Sequence, residues 1–269
     1  MCFSVLMSVY KEENPNYLKQ ALDSIIEQSL QPDEVILIED GPLTKELYQV
    51  ITTYKKYYPV IKTYQFKENV MLGRALAKGV RLCSNNIIAR MDTDDIALSN
   101  RFELEYQYLV AHPEISVIGG GIEEFNDNNT LCARKYMPRL EKDIKIYIKY
   151  RNPLNHMTVM FRKEDVLHSG NYRHFPLLED YDLWNRMLAK GYKFYNLSDI
   201  LVRARTNENR CNKRGGLKYS LTFIKLRYMQ YQLGILNKLE FVKSLIGTMI
   251  MTLTPNLCRK FAYHFFLRK

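Results

Sequence analysis

Over its first hundred residues the chain alternates short apolar runs with segments of helical apolar spacing, and few architectures accept that pattern. The runs cover 3–9, 34–38, 60–64 and the stretch that begins at Asn86. A short apolar run bounded by polar residues reads as a buried strand, and apolar positions recurring every three or four residues read as a helix packed on one face. Leu18, Ala21, Leu22, Ile25 and Ile26 give such a helix, with Pro15 suited to its start and an end near Gln28. A second helix is predicted over 45–57, and a third over 73–79, opening at Gly73 and ending at Gly79. Strands separated by helices, at a spacing of roughly 30 residues, build a parallel sheet with crossover helices. The class is therefore α/β, a mostly parallel sheet flanked by helices. No G-x-G-x-x-G follows the first strand, which argues against an ordinary dinucleotide-binding domain.

Further along, 101–110 reads as a helix and 115–121 as a strand with a Gly119-Gly120-Gly121 exit. Residues 126–150 read as a loop with a short helix laid over a sheet edge. A strand is expected from His156 to Phe161, a short helix ending at Gly170, and a helix opening at Leu177 that carries Trp184 and stops at Gly191. The last strand covers 193–202. Beyond it, 217–235 reads as an apolar-rich basic helix, and 244–253 is strongly apolar before Pro255.

Chemistry concentrates where the fourth run ends, in Arg90-Met91-Asp92-Thr93-Asp94-Asp95. In an open α/β sheet, ligands collect just past the carboxyl ends of the strands. Carboxylates crowded there repel one another, and a hard divalent cation, Mn²⁺ or Mg²⁺, offsets that repulsion. Taken alone, the motif equally fits a solvated acidic turn capping the next helix. Asp40, after the second run, falls on the same rim; it can hold a nucleobase N–H or ribose hydroxyl, or simply form an Asx-turn with Gly41. Glu179 and Asp180 open a helix, where they either cap it or supply a general base. His156 is a rival base or ligand, against a structural role at a strand start. Arg203, Arg205, Arg210, Lys213 and Arg214 form either a mobile loop over a diphosphate or a solvated basic linker.

The net charge of +10 is unevenly distributed. Residues 201–269 hold 14 Lys/Arg against 2 Asp/Glu, leaving 25 basic and 27 acidic residues in the rest. A nearly neutral body with a strongly basic tail suggests an anionic partner: nucleic acid, diphosphate or an acidic membrane surface. Five scattered cysteines with no CxxC pair argue against a zinc site and for a reducing compartment. The first apolar run has no basic leader, and no segment reaches the roughly 20 apolar residues that span a bilayer.

These pieces, in order, resemble a family 2 glycosyltransferase of the GT-A fold, of the bacterial polysaccharide-biosynthesis type. The resemblance rests on Ser8-Val9-Tyr10-Lys11-Glu12, Glu39-Asp40-Gly41, Asn69 through Gly79, Met91 to Asp95 followed by Arg101-Phe102, the strand from His156, and Leu178-Glu179-Asp180. It implies an inverting enzyme that takes a sugar from a nucleoside-diphosphate donor, with UDP the expected nucleotide, to a glycan or lipid-linked acceptor. Tyr10 and Glu12 would line the nucleobase pocket, Asp40 would hold the base, and Arg74 and Arg205 would join the donor site. Asp94 would be the direct metal ligand, with Asp92 toward the ribose and Asp95 the extra acidic residue. Asp180 would be the catalytic base, beside Glu179. Glu39 and Pro42 depart from the more usual Asp and Ser of that turn. On this reading 1–205 is the catalytic domain, with a nucleotide-sugar part over 1–100 and an acceptor part over 101–205. Residues 206–269 form a basic helical tail, either packed on the domain or lying on an anionic membrane at the inner face of the cell membrane. No nucleic acid is expected as partner. The alternatives are a metal-dependent nucleotidyltransferase, which would want a Gly-rich loop after the first strand, and a non-catalytic basic binding module.

Overall fold

A computed structural model describes residues 2–206 and 216–253. Its first hundred residues form β1 (Ser4–Val9), α1 (Pro15–Ile26), β2 (Glu34–Glu39), α2 (Lys45–Tyr57), β3 (Ile61–Gln65), α3 (Leu72–Leu82), β4 (Ile87–Arg90) and β5 (Ile96–Ala97). Local chemistry sets the helix starts. Pro15 opens α1 and the Asn14 side chain accepts from the Asn16 N–H, while Thr44 caps α2 by accepting from Leu47. Then follow α4 (Arg101–Ala111), β6 (Ile115–Phe125), β7 (Leu131–Lys135), α5 (Glu141–Tyr147), β8 (Met160–Arg162), α6 (Lys163–His168), α7 (Glu179–Ala189) and β9 (Lys193–Arg205). Two helices close the described chain, α8 (Leu217–Gln232) and α9 (Lys238–Leu253).

One sheet runs in the order β3-β2-β1-β4-β8-β6-β9-β5, with β7 paired to β6. The first four strands are parallel. β8 is antiparallel to both β4 and β6, and β6 runs parallel to β9. β5 and β7 are antiparallel to β9 and β6, so a parallel four-stranded part meets a mixed part across the reversed strand β8. Alternation along β1 divides the core: Val5, Met7 and Val9 pack with α1, α2 and α4 on one face, and Leu6 packs with α3 and α7 on the other.

Three expectations need correction. Gly79 does not end α3, which continues to Leu82. Its role is close approach: a Cβ there would lie 2.2 Å from Leu6 Cδ1, so its absence lets the helix sit against β1. The predicted strand from His156 begins instead with a 3-10 turn, His156–Thr158, and only Met160–Arg162 joins the sheet. The turn wins because Thr158 donates both its N–H and its hydroxyl to the Asn155 carbonyl, 2.9 Å each. The 126–150 stretch contains, besides its helix, a hairpin strand, β7, which is mostly exposed and too weakly alternating to read as a strand. Gly191, with φ +87, does stop α7 as expected.

Candidate active site

Parallel pairing aligns Val9 with Glu39 and Leu6 with Arg90, so β1, β2 and β4 end on one rim. Asp40 follows β2. Its carboxylate accepts from the Val70 N–H at 2.7 Å, and its carbonyl accepts from Asn69 Nδ2 at 3.2 Å. Gly41 has φ +90, and a Cβ there would meet Asn69 N at 2.7 Å, so glycine allows the 69–70 segment to close on Asp40. Burial pushes the Asp40 carboxyl above its usual range. Tyr10, past β1, is partly exposed and lies within electrostatic reach of Asp94.

At the end of β4, one carboxylate oxygen from each of Asp92, Asp94 and Asp95 lies within 4.8 Å of the others. The set is all hard oxygen, which fits Mg²⁺ or Mn²⁺ and disfavours soft metals. The three carboxylates differ in setting. Asp92 and Asp94 are half-exposed. Asp95 is fully buried, and its Oδ1 accepts from the Arg205 N–H at 2.7 Å, tying the motif to β9.

The loop is held from behind by charge. Arg90, 2% exposed, donates from Nη2 to Asp92 Oδ1. Arg101, at the start of α4, donates from Nη2 to the Arg90 carbonyl at 2.7 Å and from Nε to Glu105 at 3.0 Å. Both partners of the Arg101–Glu105 pair are wholly buried, and burial pushes the Glu105 carboxyl up to about 7. From the opposite side Thr93 donates to Glu13 Oε2 at 2.6 Å.

The start of α7 brings the second pair of carboxylates. Asn152 Nδ2 donates to Asp180 Oδ2, and the Tyr181 N–H donates to Oδ1 at 2.7 Å. Glu179 is 8% exposed; burial, then the neighbouring Asp180 charge, raise its carboxyl to about 7. Desolvation here outweighs the favourable helix N-terminus. Gly73 sets the junction, since a Cβ on it would lie 2.0 Å from the Arg173 carbonyl and 3.3 Å from Glu179 Cβ. Arg74, the next residue, is exposed at that junction. The Arg90 charge acts on Asp92, Glu179 and Asp180, and the Asp92 charge also acts on Glu179. The acidic loop after β4 and the carboxylates of α7 therefore share one neighbourhood around a buried guanidinium.

Of the remaining expected residues, some turn to solvent and some into the fold. Glu12 points to solvent beside Lys11, and its neighbour Glu13 is the one turned toward the acidic loop. Arg203 and Arg205 belong to β9, not to a loop or linker. The buried Arg205 guanidinium donates to the Asp94 carbonyl and to Gln20, and it stacks 3.8 Å over the Tyr17 ring. Its guanidinium is thus held by groups of the fold beside the acidic loop. Arg210, Lys213 and Arg214 lie outside the described residues. His156 is buried, with Nε2 2.9 Å from the Tyr172 hydroxyl, and burial holds its pKa well below the usual range. A neutral, aromatic-enclosed histidine is structural. Sequence reasoning missed Arg90, whose signal was an arginine inside an apolar run, and Asn152, which carried none.

The chain is similar over residues 4–169 to the family described as "Glycosyl transferase family 2". It is 37% identical over 253 residues to the amylovoran biosynthesis glycosyltransferase AmsE of Erwinia amylovora, covering 94% of this chain and 93% of that one. It is 34% identical over 268 residues to the UDP-Gal:alpha-D-GlcNAc-diphosphoundecaprenol beta-1,3-galactosyltransferase of Escherichia coli, covering 99% and 97%. Among solved structures, S. aureus TarS 1–349 in complex with UDP-GlcNAc superposes with a TM-score of 0.70 at 15% identity, over 98% of this chain and 75% of that one.

Proposed function

The chain belongs to glycosyl transferase family 2, and from that premise we propose that it moves a sugar from a UDP-sugar to a hydroxyl of a lipid-linked glycan, inverting the anomeric centre. Membership makes it an enzyme of the glycosyltransferase class, which sets aside the nucleotidyltransferase and binding-module readings. The lipid-linked acceptor and uridine donor draw support from the activity for which the E. coli relative is named and from the UDP-GlcNAc complex of the structural neighbour. The observation that carries the mechanism is the convergence of Asp92 with Glu179 and Asp180 around Arg90.

In this reading residues 1–100 serve the donor and 101–205 the acceptor. Asp40 takes the nucleobase side, beside Tyr10, and Arg74 meets diphosphate at the mouth of α3. Asp92 and Asp94 would hold a divalent cation, which when bound acts as a Lewis acid toward diphosphate oxygens. Arg90 holds one oxygen of Asp92 through its guanidinium. Asp180 removes the proton from the acceptor hydroxyl, oriented for this by Asn152 and the Tyr181 N–H. The oxygen then forms its bond to the anomeric carbon as the bond to the diphosphate breaks on the opposite face, and one displacement inverts the centre. Glu179, raised to about 7, carries less than a full negative charge beside the base at neutral pH.

Asp180→Asn tests the assignment. Transfer is expected to fall by about 10²–10⁴-fold, the span of general-base contributions, while manganese-dependent thermal stabilisation by UDP is retained. Transfer at the parent rate would remove Asp180 from the role.

A further inference from the structure

In the α8–α9 hairpin, α8 packs Phe223 and Leu226 on the core, whereas α9 turns its polar side inward. Facing inward, Ser220 Oγ donates to Thr252 Oγ1 at 2.6 Å, and Thr248 and Thr252 are both buried. Facing outward, α9 presents Leu239, Val242, Ile246, Met249 and Ile250, which are 41–64% exposed. Their spacing of three or four residues puts them along one side of the helix. A soluble helix turns that stripe to the core. A contiguous apolar face left to water marks a surface that something else covers.

Charge identifies the cover. Lys218, Lys225, Lys238 and Lys243 are all exposed on the hairpin. The sole acid in 216–253, Glu240, is engaged by Lys149 at 2.7 Å. The sequence that follows, 254–269, carries Arg259, Lys260, Arg268 and Lys269 with Phe261, Tyr263, Phe265 and Phe266, and has no acid. Exposed apolar residues flanked by lysines, followed by basic and aromatic residues, match a surface that is anionic outside and apolar beneath. A second copy would bring lysines against lysines. Among the described residues no helix is long and apolar enough to cross a membrane, so the hairpin would lie on the surface.

Its anchorage is also specific. Arg227 on α8 donates to the carbonyls of Lys149 at 2.7 Å and Tyr150 at 2.9 Å, and Gln230 donates to Ile148 at 2.8 Å. This is the segment that leads to Asn152 and hence to Asp180. We infer that the outward face of α9 docks the enzyme on an anionic bilayer surface, holding the acceptor side of the site toward the lipid. The inference rests on the lipid-linked acceptor proposed above.

The test is flotation of the full chain with vesicles of phosphatidylethanolamine and phosphatidylglycerol, against phosphatidylcholine alone, for the parent and for Ile246→Asp/Ile250→Asp. The parent is expected to float with the anionic vesicles and not with the neutral ones. The bound fraction of the double variant should fall by roughly tenfold or more, from the lost burial of two aliphatic side chains. Flotation of the variant at the parent level overturns the inference, as does a parent that stays in solution. It is equally overturned by light scattering that finds a dimer which the variant dissolves, since the face would then pair two copies. Manganese-dependent stabilisation by UDP, measured on the same samples, reports separately on the active-site reading.

Discussion

The sheet domain and the last described helix, α9, place their aliphatic side chains oppositely. In the sheet domain the core is aliphatic, and three buried arginines are paired with carboxylates: Arg90 with Asp92, Arg101 with Glu105, Arg186 with Asp182. On α9 Thr248 and Thr252 are buried, while Leu239, Val242, Ile246, Met249 and Ile250 are exposed. The buried Arg227 of α8 is satisfied by carbonyls of the sheet domain together with Gln230. The first region is complete within itself, with its polar groups gathered at one rim. The second leaves the apolar stripe of α9 exposed.

The sharpest way to break this contrast is to unpair a buried charge in the sheet domain. Arg101→Ala leaves Glu105 without its partner and the Arg90 carbonyl without a donor; the expected loss is about 3–5 kcal/mol in urea unfolding. A loss below about 1 kcal/mol would mean the domain tolerates an unpaired interior carboxylate and is less closed than described.

A smaller effect should follow pH. The Glu179 carboxyl is raised from 4.5 to about 7 in the fold. Its favourable share of stability is therefore present below pH 4.5 and lost as pH rises through about 7. Glu179→Gln removes that loss. In metal-free and nucleotide-free buffer the variant should gain on the parent by on the order of 2–3 kcal/mol between acid and slightly alkaline pH. A flat difference across that range would show the carboxyl to be solvated.

The smallest effect belongs to the hairpin. Ile246→Asp should change unfolding free energy by less than about 0.5 kcal/mol in lipid-free solution, as for other exposed sites. Destabilisation by several kcal/mol would show that α9 is packed on that side, and the contrast would fail.

Much of the sheet was legible because its signals are local. β1, β2 and β4 are short aliphatic runs with polar ends, and the 3.6-residue spacing of α1 and α2 admits little else. The acidic loop was legible for a related reason: crowded carboxylates have no packing rationale of their own. Side-chain direction was less accessible. Glu12 and Glu13 are adjacent in a loop, and only the reach of Glu13 to Thr93 tells which one faces the rim. Arg205 read as part of a loop or linker because its partners, Gln20, Asp94 and Asp95, are distant in sequence. The turn at His156 was hidden for a similar reason, its apolar run resembling a strand until Asn155 and Thr158 form their bonds.

The sequence by itself determined the α/β class, the rim where acids gather, and the basic excess of the tail, since periodicity, crowding and net charge are properties of the chain. Tertiary structure alone decided which acids share a neighbourhood, which arginines are interior braces, and which side of α9 is left facing water. Those outcomes depend on desolvation and on contacts between residues far apart in the chain, and neither quantity exists until the sheet has formed and the helices have closed over it.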